Sequence, residues 1–268
     1  MRTSSSRRLA DLTSEEIAES ITSTSVMIQP LGAIEQHGPH LPLSTDLIVA
    51  EAMSSALVDE LGDELDLWLL PSLAYTKSNE HAWSPGTVWL GPETMLAVLR
   101  DVGRSLATLP ARRLVFLNGH GGNTGLLDVA LRELRLTHGL LTFLAHPFVP
   151  PDHGGESLAS EAAGGIHGGA AETSMMLHLR PDLVRLDRLV SSVPNWLNEY
   201  EHLSFSGSVG FGWLSNDFGA TGVIGDATAA SAELGESLVN ESLERLGAAL
   251  AEVARFEFPG TTIEEGVS

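Results

Sequence analysis

The chain has 268 residues, a formal net charge of −20 and no cysteine. Charge of that sign and size repels phosphate backbones and anionic lipid, so neither nucleic acid nor a membrane surface is an expected partner. Without cysteine there is no disulfide framework, thiolate metal site or cysteine nucleophile, and any bound metal must be held by His, Asp and Glu. The 43% of hydrophobic residues suffices for the core of one large α/β domain or two small ones. The first residues, Met1-Arg2-Thr3-Ser4-Ser5-Ser6-Arg7-Arg8, lack the apolar centre of a signal peptide, and no apolar run is long enough to span a bilayer. A cytoplasmic location is the resulting expectation.

In chain order, residues 1–12 read as a loose, flexible arm. Thr13-Ser14-Glu15-Glu16 has the form of a capping box and starts a short helix to about Ser20. Residues 25–31 read as a buried strand and 46–61 as a long helix that Gly62 ends. Leu67-Trp68-Leu69-Leu70-Pro71 is short and continuously apolar, as in a parallel strand covered on both faces. An irregular stretch, 74–87, carries Glu80, His81 and Trp83; it reads either as part of a site or as a surface loop with a Pro85-Gly86 turn. A helix over 92–109 precedes the clearest strand, 113–117, and a further helix occupies 124–138. Another strand follows at 140–145, then a loop rich in Pro, Gly and Ala over 147–165. Residues 164–177 enter a helix flanked by His167 and Glu172, with Met175 and Met176 reading as core. The Gly- and aromatic-rich stretch 206–225, with Phe211, Trp213 and Phe218, reads either as a pocket wall or as a long loop. The last helix is capped by Asp226 or Thr228 and runs to about Phe256. Strands alternating with helices at these intervals predict a mainly parallel sheet with helices on both faces, and no linker divides the chain, so residues 1–268 read as one domain.

The chemistry concentrates where predicted strands end. Residues 30–46 connect the first strand to the first long helix and hold Glu35, His37, His40 and Asp46 among Gly and Pro. Glu35 and His37 are two apart, so an extended backbone points both to one side. Asp46 opens a helix, where the free N–H groups and the dipole favour a carboxylate. Taken singly, Asp46 reads as a helix cap and His37 as a loop histidine. Taken together, a Glu, a His and an Asp converging from one strand end are natural ligands for a divalent metal. A second cluster, Asn118-Gly119-His120-Gly121-Gly122-Asn123, joins the clearest strand to a helix. A phosphate-binding loop is the rival reading of its glycines, but the lysine and spacing of such loops are missing. A purely structural metal site is the other rival; such sites are usually closed and often rich in cysteine.

These motifs together resemble the creatininase (creatinine amidohydrolase) family. The resemblance rests on Glu35-Gln36-His37-Gly38-Pro39-His40-Leu41-Pro42, Asp46, Glu80-His81, Pro85-Gly86-Thr87, Asn118 to Asn123, and His167-Gly168-Gly169 through Glu172-Thr173-Ser174, spanning about residues 25–180. It implies a three-layer α/β/α sandwich and two divalent metal ions per chain, zinc foremost, with manganese or iron as alternatives. Asp46 would bridge the two metals, Glu35 and His120 completing one site, His37 and Glu172 the other. His167 would act as general acid–base, with Glu80 and His81 also placed among the catalytic residues. The creatinine hydrolases carry a glutamate two residues after the histidine of the N-G-H motif, where this chain has Gly122. They also carry a tryptophan four residues before the histidine matching His167, where this chain has Ala163. The expected activity is therefore hydrolysis of a C–N bond in a small cyclic amide or related compound, with creatinine a poor substrate. The alternatives are a formamide deformylase, a peptidase, a cyclic-ketone hydrolase, or a non-catalytic small-molecule binding protein. A small-molecule substrate and a homo-oligomer, a hexamer by family resemblance, complete the expectation.

Overall fold

The centre of the molecule is a parallel sheet of β1 (Val26–Leu31), β2 (Leu67–Leu69), β3 (Arg113–Asn118) and β4 (Leu141–Ala145), in the order β2-β1-β3-β4. The structure, a computed structural model, describes residues 6–147, 165–205 and 208–259. Val26 pairs with Leu67 on one side and Arg113 on the other, and Arg113 in turn with Leu141. Every residue of β1 and β3 is buried, as expected of mainly apolar strands covered on both faces. One face, with Val26, Ile28, Val115 and Leu117, packs on α2 (Thr45–Leu65), α5 (Ala170–Leu179) and α6 (Ala232–Arg255). The other, with Met27, Leu114 and Phe116, packs on α3 (Pro92–Leu106) and α4 (Thr124–His138), joined by Ile17 of α1 (Ser14–Ser20). This is the three-layer α/β/α arrangement that the resemblance implied. A two-stranded antiparallel ribbon of β5 (Ser191–Ser192) and β6 (Gly225–Asp226) lies outside the main sheet.

The strand order positions the site. From β1 the chain moves outward to β2, then returns past β1 to form β3 on its other side. The loops after β1 and β3 therefore diverge and leave a crevice at the carboxyl ends of the strands. The first turn of α2 is wedged into that crevice by two glycines. A Cβ on Gly32 would lie 2.3 Å from the Leu47 Cα, and one on Gly119 would lie 2.6 Å from the Asp46 carbonyl oxygen. Neither position tolerates a side chain with α2 seated where it is.

Several local expectations need correction. The capping box at Thr13 and Glu16 forms as predicted. Helix α2, however, runs through Gly62 to Leu65 and ends on Asp66 in the left-handed region, φ 52°. Gly62 is a packing glycine, since a Cβ there would sit 2.6 Å from Cδ of Arg7. The same contact shows that residues 6–12 are not a loose arm. The Leu69 N–H donates to the Arg7 carbonyl at 2.8 Å, the Arg7 guanidinium reaches Asp63 and Asp66, and Arg8 pairs with Asp59. Helix α3 stops at Leu106 rather than 109. The cap of α6 is Ser231, whose hydroxyl accepts from the Leu234 N–H at 3.1 Å, while Asp226 caps a separate short turn at Ala227–Ala229. Most of the predicted loop over 147–165, residues 148–164, lies outside the described residues. No helix among the described residues is long and apolar enough to cross a membrane.

Candidate functional site

Glu35 and His37 lie just beyond β1, Asp46 in the first turn of α2, and His120 just beyond β3, so all four enter the crevice. Each is at least 96% buried. Asp46 does not act as a helix cap. Its Oδ1 lies 2.9 Å from Nε2 of His37 and its Oδ2 lies 3.1 Å from Nδ1 of His120. Glu35 Oε2 faces the same His120 nitrogen at 3.3 Å. Glu172, two residues into α5, brings Oε2 to 3.9 Å from His37 Nε2 and holds that oxygen by accepting the Gly168 N–H at 2.5 Å. All five residues expected as ligands are thus brought together.

Hydrogen bonds on the outer sides of the rings fix their inner sides. A carbonyl can only accept, so His37 Nδ1 donates to the Glu35 carbonyl at 3.2 Å and turns Nε2 inward. His120 Nε2 donates to the Lys77 carbonyl at 2.9 Å and turns Nδ1 inward. Those inward nitrogens face carboxylate oxygens. Two of these, Glu35 Oε1 and Asp46 Oδ2, are buried without a well-formed hydrogen bond and meet the ring nitrogens of His81 and His120 at 3.3 and 3.1 Å. Orphaned carboxylate oxygens in a dry site are costly, and a cation among them removes the cost. The spacing suits one: ligand atoms about 2.1 Å from a tetrahedral metal lie about 3.4 Å from each other. Three ligand groups have their donor atoms within 4.8 Å of one another: Glu35, Asp46 and His120; His37, Asp46 and Glu172; and Glu35, His37 and His167. Asp46 belongs to the first two and offers a different oxygen to each histidine.

The charges follow from this crowding. Burial works against a charge on His37, yet Asp46 beside it carries its pKa up to about 10. Burial also opposes charge on His120, and Glu35 and Asp46 overcome it in the same upward direction. Asp46 is held well below the usual carboxylate range by the two histidines, against its burial. Burial raises Glu35, and raises Glu172 to about 7 with Asp46 adding to the rise.

His167 is held by a pair of backbone hydrogen bonds with Ile224, and its Nε2 donates to the Gln36 carbonyl at 2.7 Å. Its Nδ1 is left free, 3.7 Å from Glu35 Oε1. Burial and the nearby charge of His37 lower its pKa, so it is a neutral base. His81 lies between His167 and His120, with Nε2 3.3 Å from Glu35 Oε1, and is likewise kept neutral by burial and by His167. Glu80 is present too, but its carboxylate lies at the outer nitrogen of His120, 3.4 Å from Nε2, and takes the Lys77 ammonium at 2.5 Å. Burial would raise its pKa, but His120 and Lys77 bring it to about 2. His40 stays out of the cage; it is buried against the Thr173 hydroxyl at 2.9 Å.

The sequence reading missed the carboxamide of Gln36. It is buried, lies 3.0 Å from His81 Nδ1 and 3.1 Å from His167 Nε2, and its oxygen accepts the Gly38 N–H. Its place between Glu35 and His37 was the available signal. A cavity of about 680 Å³ opens over the cage, walled by Lys77, His146, Ile166, Phe205, Phe211 and Trp213. The aromatic-rich stretch is therefore a pocket wall. Met175 and Met176 are core, as expected. Ala163 lies outside the described residues.

Fold and site define a three-layer α/β/α protein with a carboxylate–histidine cage at its strand ends. The creatininase family, described as creatinine amidohydrolase, matches residues 10–250, and the chain belongs to it. It is 38% identical over 220 residues to the mycofactocin precursor peptide peptidase of Mycobacterium ulcerans, covering 80% of each chain. It is 33% identical to the creatinine amidohydrolase of Pseudomonas putida, covering 88% of this chain and 91% of that one. A solved tryptophan-to-alanine variant of creatininase superposes with a TM-score of 0.76 at 28% identity, covering 94% of this chain and all of the other. Solved creatininases similar to this chain include a Zn–Zn form and a Mn form.

Proposed function

We propose that the chain is a dinuclear metal-dependent amidohydrolase that cleaves a C–N bond with water. The observation that carries this reading is Asp46, which turns one oxygen toward His37 and Glu172 and the other toward His120 and Glu35. Two divalent ions, zinc foremost and manganese or iron as alternatives, would be held by Glu35, Asp46 and His120 and by His37, Asp46 and Glu172. When bound, such a pair polarises a carbonyl and lowers the pKa of water toward neutrality. The protein's own residues do the rest. His167 keeps Nε2 on the Gln36 carbonyl and presents a bare Nδ1 to the cavity, the state required to take a proton and pass it to the leaving nitrogen. Gln36 donates to Nδ1 of His81 and so leaves the proton on the nitrogen that faces Glu35. The Ser78 hydroxyl, donating to Glu35 Oε2 at 2.5 Å, holds that carboxylate in place. The reading includes a single domain over residues 1–268, a cytoplasmic location and a homo-oligomer, hexameric by family resemblance.

For the substrate, a small cyclic amide is the first reading, and a peptide is the second. The second is favoured by the volume of the cavity, its aromatic wall, and the identity with relatives named as peptidases. Zinc- or manganese-loaded protein assayed against creatinine, cyclic amides, formamides and short peptides distinguishes the two. Metal-dependent ring opening of a cyclic amide, or cleavage of a peptide bond, is the expected result, with little turnover of creatinine. Loaded protein that binds such compounds and hydrolyses none would leave the non-catalytic binding protein as the reading.

A further inference from the structure

Position 122 lies beside the cage and carries no side chain, and the structure gives a reason. A Cβ on Gly122 would lie 1.8 Å from Oε1 of Glu80 and 2.4 Å from Nε2 of His120. The space that a residue at 122 would occupy is already filled by the Glu80 carboxylate. In the creatinine hydrolases, which the motif resembles, the carboxylate comes from 122 itself. Here a carboxylate approaches the same neighbourhood from a different loop.

The Glu80 side chain is only 7–9% exposed and is held firmly. Its turn, Asn79–His81, is tied to the rest of the site from both sides. On one side the Lys77 N–H donates to Asn123 Oδ1 at 3.2 Å, and Asn123 donates to Asn118 at the end of β3. On the other, the Ser215 hydroxyl donates to the Glu80 carbonyl at 3.3 Å while accepting the indole N–H of Trp83 at 2.7 Å. Glu80 Oε2 takes Lys77, and Oε1 lies 3.4 Å from Nε2 of His120, beside the hydrogen bond of that nitrogen to the Lys77 carbonyl. Because the inward atom of His120 is Nδ1, Glu80 cannot join the cage; the imidazole ring stands between them.

We propose that Glu80 is a positioning residue for metal binding: it substitutes for a side chain at position 122, and its charge at the outer nitrogen of His120 reinforces the hydrogen bond to the Lys77 carbonyl that keeps Nδ1 pointed at the ion. This rests on the dinuclear reading of the cage. A carboxylate behind a ligating histidine sets its tautomer and ring orientation and makes the inner nitrogen a better donor. Lys77 neutralises the added charge, so the benefit to His120 comes without a second bare anion in the cavity wall.

The test uses the full chain, stripped of metal and titrated with zinc against a chromophoric chelator, comparing wild type, Glu80→Gln, Glu80→Ala and Gly122→Ala. Wild type takes two ions. Glu80→Ala still takes two at saturation, but one of them, the ion shared by Glu35, Asp46 and His120, is held about 10–100-fold more weakly. Glu80→Gln keeps an acceptor oxygen and the shape of the side chain, and falls between the two. Gly122→Ala displaces Glu80 or the ring and weakens the same ion. The proposal is overturned if Glu80→Ala binds both ions like wild type, or if Gly122→Ala does. It is overturned also if both ions weaken equally, the mark of a general structural defect, or if one is lost even at saturation, the mark of a direct ligand. Wild-type protein that takes no zinc, manganese or iron would instead overturn the metal reading on which the proposal stands.

Discussion

Strand β3 buries Arg113 at its first residue and presents His120 two residues past its last, and the two ends treat buried charge in opposite ways. The Arg113 guanidinium donates to the carbonyls of Ser23, Val253 and Phe256 and to the Glu257 carboxylate, tying the end of α6 to the sheet. Four of its five N–H groups lead to an acceptor. At the other end the polar atoms are more numerous and less satisfied. His120, Asp46 and Glu35 converge, and two of their oxygens have no well-formed hydrogen bond. A satisfied buried charge holds a structure together. An unsatisfied one, maintained by the elements around it, is kept for a ligand.

The largest expected effect comes from removing the atom on which the unsatisfied end depends. Asp46→Asn has one oxygen and no charge where the site uses two oxygens of an anion. The variant should fold with unchanged circular dichroism, lose at least one metal ion, and lose nearly all turnover. A folded variant with both ions and substantial turnover would make Asp46 ordinary. Next, His167→Ala should keep metal content near normal and lower kcat by roughly 10²–10⁴. Loss of metal along with activity would move His167 into the ligand set, which its grouping with Glu35 and His37 would then explain.

The pH dependence of stability sharpens the contrast further. His37 has a folded pKa of about 10, raised from its ordinary 6.5, so its contribution is full below pH 6.5 and is lost as pH rises toward 10. Glu172, raised from 4.5 to about 7, adds a loss in the same direction over its own range. Metal-free protein should therefore become less stable between pH 6.5 and 9, by up to about 1.4 kcal/mol per pH unit for each proton involved. Metal binding displaces those protons, so metal affinity should rise over the same range. Thermal melts at several pH values, with and without zinc, check both slopes. The smallest effect is expected at the satisfied end. Arg113→Met leaves three carbonyls without their donor and should cost about 1–3 kcal/mol of stability while leaving metal content untouched. A loss of metal in that variant would join the two ends of the strand and break the comparison.

What the sequence made legible was set by distance along the chain. Glu35, His37, Asp46 and His120 sit within short motifs after strands, where residue type, spacing and neighbouring glycines all act locally. The strands β1 and β3 were legible for the same reason: each is a short, mainly apolar run. Features decided by remote partners were not. Gly62 has the look of a helix stop until Arg7 is seen lying across it. Asp226 and Thr228 are as good caps as Ser231 in isolation, and the choice falls to Ser231, which also packs its N–H against the Ser174 hydroxyl of α5. Glu80 was recognised as belonging to the site, but its side of His120 depends on which ring nitrogen the Lys77 carbonyl engages.

The cavity wall has an evolutionary consequence. Phe205, Phe211 and Trp213 come from a segment remote from the motifs that supply Glu35, His37, Asp46 and His120. Those four are anchored by the sheet and by the seat of α2, whereas the aromatic rings pack, tilted or edge-on, against one another and against Phe218. Inheritance can therefore act on the two parts separately. A change in the wall need not disturb the cage, and the chain is similar both to a protein named for a peptide and to one named for creatinine.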